Sequence, residues 1–69
     1  MPYANNGALP APVRAHLPVR AQDIFREAFN HAFDEYGGDE QRAFQVAWAA
    51  VKRRYEKQGE HWVSKVTQR

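Results

Sequence analysis

The sequence predicts an all-α domain of one short and two long antiparallel helices. A small two-stranded element joining the N-terminal and C-terminal segments would complete it. Three observations carry this expectation. Apolar residues recur at helical spacing over residues 21–36 and again over 43–55. Only a short glycine-rich link, Gly37-Gly38-Asp39, separates the two runs, which makes them antiparallel neighbours. The prolines at 10, 12 and 18 sit where helices begin, not inside them.

Residues 1–8, MPYANNGA, lack periodicity and contain Asn-Asn-Gly, a turn signal, so they are expected to be extended or loose. The stretch PAPVRAH then suits a short helix. The first N–H groups of a helix have no internal partner, so Pro10 and Pro12 cost little there. Pro18 has to end that helix, because the residue before a proline is pushed out of the helical region. It would itself occupy the first turn of the next one. Leu9 and Leu17 each precede a proline and are expected to peg the chain as it enters each helix.

In the first long helix Ala21, Ile24, Phe25, Ala28, Phe29, Ala32, Phe33 and Tyr36 follow the i, i+3, i+4, i+7 template without a miss. Gly37-Gly38 ends it, since glycine takes the left-handed position past a helix. Asp39 is the expected N-cap of the second long helix. Glu40 near its start and Lys52, Arg53, Arg54 and Lys57 near its end suit the helix dipole. Ala43, Phe44, Val46, Ala47, Ala50, Val51 and Tyr55 form its apolar side, Trp48 lies at the edge, and Gly59 is the expected stop. The tail, residues 60–69, is ambiguous. Its Trp62, Val63 and Val66 suit a short strand pairing with the chain start around Tyr3.

The 69 residues amount to a single domain, with nine aromatic rings to build its core. The absence of cysteine excludes a disulfide frame, a thiolate zinc site and a thiol nucleophile, and it fits a cytoplasmic protein. The first twenty residues hold no 7–15-residue apolar run, so no signal peptide is expected. The longest apolar run, 46–51, is far below the ~20 residues of a membrane span. The net charge of +2 hides a segregation: residues 1–22 carry +2, 23–40 carry −5 and 41–69 carry +5. Such asymmetry speaks to partners more than to fold.

Two surfaces are candidates for binding. Asp23, Glu27, Asn30 and Asp34, spaced 4, 3 and 4, share the helix face opposite the apolar arc, with His31 on its flank. Glu27 and His31 are four apart, a spacing that can hold a metal ion. A solvated polar face is the plainer account, and no metal or other cofactor is expected. Asn30 is the odd residue there: it either bonds a segment folded over the face or belongs to a partner surface, and the first is preferred. The second surface is the basic end, Lys52, Arg53 and Lys57, interleaved with Tyr55 and Trp62. Bases with aromatics can grip phosphates and stack on bases. Charge at a helix C-terminus plus core aromatics is again the plainer account. Trp62 either folds back as a plug for the core, which is preferred, or stands out as an anchor. His16, His31 and His61 are scattered without zinc-site spacing, and no nucleophile or phosphate-loop motif is present, so an enzyme is not expected.

Taken in order, MPY, Leu9-Pro10, Leu17-Pro18, AQDIFREAFNHAFDEY and VAWAAVKRRYEKQGEHW resemble the ChaB family of cation transport regulators. The resemblance runs from Met1 to Trp62. The matching positions are Leu9, Pro10, Leu17, Pro18, Ala21, Ile24, Ala28, Phe29, Asn30, Tyr36, Trp48, Lys52, Tyr55 and Trp62. One departure is the short link GGDEQ, where some members carry a charged insertion. The resemblance implies a mainly helical protein with a short two-stranded element, and an association with a membrane cation/proton antiporter on its cytoplasmic side. The expected function is therefore a non-enzymatic regulatory or adaptor protein that is not itself membrane-inserted. The alternative is a small nucleic-acid-binding module using the basic C-terminal end. The oligomeric state stays open.

Overall fold

A computed structural model of the chain describes residues 3–59 and 61–65. A 3₁₀ turn, Asn6–Ala8, leads into helix α1 (Ala11–His16), followed by α2 (Val19–Glu35), α3 (Glu40–Arg54) and a hairpin of β1 (Tyr55–Gln58) and β2 (His61–Ser64).

Both Leu-Pro pairs work as helix entrances, and by the same device. Pro10 and Pro18 are the N-caps of α1 and α2, and their carbonyls accept the first helical bonds from Arg14 and Gln22. A proline cap has no side chain that can bond the exposed first turn. Here the fourth helical residue reaches back instead. Arg14 Nε donates to the Leu9 carbonyl at 3.0 Å, and Gln22 Nε2 donates to the Leu17 carbonyl at 2.8 Å. The leucines point inward, 2% and 4% exposed, as the expected pegs.

The α2 stripe packs on α3. Phe25, Phe29 and Val51 are the largest fully buried side chains. Phe25 meets Trp48 edge-on at 5.1 Å, and Phe29 meets Phe44 edge-on at 4.8 Å. Buried Ala43, Ala47 and Val51 recur every four residues along α3, and such small side chains let rings from the facing helix lie close to its backbone. The link closes as a Schellman turn. Gly38 N–H donates to the Phe33 carbonyl at 2.8 Å, with Gly37 and Gly38 at φ of 68° and 90°. Asp39 caps α3, its carboxylate accepting from Arg42 N–H at 3.1 Å.

Three expectations change. Residues 1–8 are not wholly extended: Asn6–Ala8 form a 3₁₀ turn, which the Asn5 side chain caps by accepting from Ala8 N–H. α3 stops at Arg54 instead of running to Gly59, and Lys57 therefore lies on a strand. Tyr55 stays in the core in either path, 8% exposed as the first residue of β1, so the apolar stripe could not distinguish a helix from a strand there. Finally, the Trp62 strand pairs with Tyr55–Gln58 and not with the chain start. Gly59, at φ 66°, supplies the positive φ that a tight hairpin turn needs. Val66, assigned to the same strand, lies outside the described residues. Trp62 does fold back, its ring 5.7 Å from that of Trp48.

Two outcomes test this fold. No atom lies within 4 Å of a Cβ built on Gly37, so Gly37→Ala should cost only the left-handed backbone penalty, about 1–2 kcal/mol, with Gly37→Asn cheaper. Urea denaturation of both variants checks this. Asn30→Ala should cost about 1–3 kcal/mol by the same measurement, because both polar backbone groups of Tyr3 lose their partner.

Candidate functional site

The polar face of α2 is two parallel rows. In a helix, residues seven apart lie almost above one another, so Asp23 and Asn30 form one row and Glu27 and Asp34 the next. The first row is roofed by the chain start. Asn30 is 7% exposed; its Oδ1 accepts from Tyr3 N–H at 3.2 Å and its Nδ2 donates to the Tyr3 carbonyl at 2.8 Å. Asp23 accepts from Asn6 Nδ2 at 2.6 Å, and Arg26 Nε donates to Asn6 Oδ1 at 2.8 Å. Asn30 thus leaves the set of partner-contacting residues: its amide is consumed in holding Tyr3 down. The Tyr3 ring lies 4.8 Å from that of Phe29. Burial, and then the Glu40 carboxylate, hold its phenol above the ordinary pKa.

The second row, Glu27 and Asp34, remains exposed. Asp34 continues into an acidic tip: Glu35 at the end of α2, then Asp39 and Glu40 at the start of α3, all exposed. Tyr36, 43% exposed, sits among them with the Arg42 guanidinium 5.0 Å from its ring.

Glu27 has different neighbours. It lines a groove of about 600 Å³ with Ile24, Ala28 and His31 from α2 and Ala50, Arg53 and Arg54 from α3. The fold therefore brings Glu27 and Arg53 together, although the sequence assigned them to competing surfaces. His31 lines this groove with Glu27, and its Nε2 lies 3.6 Å from Glu35 Oε1. Among the described residues no group of three or more His, Cys, Asp or Glu side chains could hold a metal ion.

The basic end is likewise divided. One position apart on a helix is about 100° of rotation, so Lys52 and Arg53 face different ways. Lys52 and Lys57 line a separate groove of about 310 Å³ with Pro12, His16, Trp48 and Trp62. Sequence reasoning missed this constellation. His16 and Pro12 are four apart on α1, which is visible in the chain. The pairing of Lys57 with Trp62 needs the hairpin register, which is not.

Residues 9–65 match the model of the ChaB family. Over 66 residues the chain is 47% identical to the "Putative cation transport regulator ChaB" of Escherichia coli (strain K12), covering 83% of this chain and 87% of that protein. The protein of the same name from Shigella flexneri matches to the same extent. The NMR solution structure of the "putative cation transport regulator ChaB" superposes with a TM-score of 0.84 at 42% identity, covering 93% of this chain and 99% of that one. The matched span takes in both Leu-Pro entrances, the two long helices and the hairpin, and the chain belongs to the ChaB family.

Proposed function

We propose that this chain is a non-enzymatic regulatory protein of the cytoplasm that docks through its acidic tip onto a membrane cation/proton antiporter. The exposed acids Asp34, Glu35, Asp39 and Glu40 carry the reading. Cytoplasmic loops of membrane proteins are rich in Lys and Arg, so this end complements them in charge. Of the acids assigned to docking from the sequence, Asp23 is held by Asn6, Glu27 shares a groove with Arg53 and Arg54, and Asp34 stands exposed at the tip. No helix among the described residues is long and apolar enough to cross a membrane, so the membrane association proposed here runs through the partner. The relatives' names support a regulatory role in cation transport.

The test is retention of a cation/proton antiporter from detergent-solubilised membranes. Immobilised wild-type chain should retain it and release it at about 0.5 M salt, where charges more than a few ångströms apart are screened. Asp34→Lys/Glu40→Lys should lose it while keeping the wild-type circular dichroism spectrum, since both positions are exposed. An antiporter missing from the wild-type eluate, or held equally by the variant, overturns the proposal.

A further inference from the structure

We propose that the groove between α1, α3 and the hairpin is a docking site for an acidic peptide segment carrying an aromatic side chain. Its three walls are built alike. Pro12 and His16 come from α1, Trp48 and Lys52 from α3, Lys57 and Trp62 from the hairpin. In each wall an apolar or aromatic residue stands beside a basic or titratable one. They are four apart on the helices, the spacing of neighbours, and directly opposed on the strands, where Lys57 faces Trp62.

The wall is firm and one-signed. The Trp48 ring is backed edge-on by buried Phe25, and the Trp62 ring lies against it at an inclination of 34°. Among the described residues no carboxylate lines the groove, and neither lysine has an ion-pair partner. The groove across α3 differs, because there Glu27 stands with Arg53 and Arg54. An occupant of the Trp groove therefore needs anionic groups for the lysines and a ring for the indoles. Aromatic pairs contribute beyond the area they bury.

The choice of a peptide over a nucleic-acid strand follows from where the bases lie. A strand needs a track of Lys and Arg along its phosphates. Here the basic end is split by α3, and Arg53 and Arg54 face the other groove, so only Lys52, Lys57 and His16 meet the ligand. A volume of about 310 Å³ suits one or two side chains of a short segment. This surface is distinct from the acidic tip and opposite in sign, so each proposal can fail without the other.

Trp48 and Trp62 are the chain's two tryptophans, so intrinsic fluorescence reads the groove directly. The full chain is titrated with the peptide Glu-Glu-Phe-Glu-Glu. The comparison ligands are Glu-Glu-Ser-Glu-Glu, Lys-Lys-Phe-Lys-Lys, an oligothymidine of about ten nucleotides and phosphatidylglycerol vesicles. The expected result is a saturable emission change with the acidic Phe peptide. It should weaken about tenfold or more in Lys52→Glu/Lys57→Glu, be weaker for the Ser peptide, and be absent for the Lys peptide. Both lysines are exposed, so the variant should still fold, with the wild-type circular dichroism spectrum and a somewhat lower thermal midpoint from the charge reversal at the end of α3; Lys52→Ala/Lys57→Ala serves as a milder second variant. The proposal is overturned by no saturable change up to about 1 mM, by equal affinity of the folded variants, or by equal affinity of the Ser peptide. Tighter binding of the oligothymidine or the vesicles also overturns it and reassigns the groove.

Discussion

Phe25 and Phe29 reach from α2 to α3 and meet Trp48 and Phe44 edge-on, one helical turn apart. Everything else in the molecule is placed by that seam. Truncating a buried Phe costs about 3–5 kcal/mol, against a total stability of about 5–15 kcal/mol for a typical domain, so each ring is a large share. The seam is antiparallel because the link is only as long as a Schellman turn followed by the Asp39 cap. It is close because α3 presents Ala43 and Ala47 to the core. With α2 and α3 fixed, the other elements attach at its edges: Tyr3 lies against Phe29 at one end, and Trp62 closes on Trp48 at the other.

The antiparallel seam also converts a charge pattern along the chain into one in space. The acids of residues 34–40 straddle the turn, so the end of α2 and the start of α3 form one negative tip. Lys52, Arg53 and Arg54 lie at the other end of α3, and Lys57 follows on β1. The two helix ends agree with the dipole of α3, whose positive N-terminus carries Asp39 and Glu40 and whose negative C-terminus carries the basic run. Local helix electrostatics and the two proposed docking surfaces thus ask for the same residues. The +2 net charge conceals this, because the acidic middle and the basic end nearly cancel.

Where the sequence was legible, one periodicity decided the outcome. The α2 stripe from Ala21 to Phe33, the glycine stop and the Asp39 cap each need only neighbouring residues to be recognised. Tyr55 was not legible, because it is four residues beyond buried Val51 and is equally buried as helix or strand. Beyond Arg54 the chain enters a hairpin instead, in which Tyr55–Gln58 pairs with His61–Ser64 about Gly59, a pairing that helical periodicity does not register. The site shows the same division. The exposure of Glu27 and Asp34 follows from the helix wheel, but the covering of Asp23 and Asn30 depends on Asn6 and Tyr3, seventeen and twenty-seven residues away. An asparagine on a charged face was the one clue: it offers both a donor and an acceptor to the backbone of a single passing residue, and Tyr3 uses both.

The doubled Leu-Pro carries this division into function. At each entrance leucine enters the core, proline accepts the first helical bond, and a long side chain five residues past the leucine returns a hydrogen bond to the leucine carbonyl. Gln22 goes further, because its Nε2 also reaches the Arg14 carbonyl at 3.2 Å in the last turn of α1. One amide therefore ties the end of α1 to the start of α2 and fixes the angle between them. α1 has only six residues and would be marginal alone; buried Leu9, Val13 and Leu17 and this tie hold it in place. That position sets Pro12 and His16 opposite Trp48 and Trp62. A helix that looks like a mere corner is the third wall of the basic groove. The repeated motif thus bears on the proposed docking site, because the tie at Leu17-Pro18 holds the α1 wall of the groove.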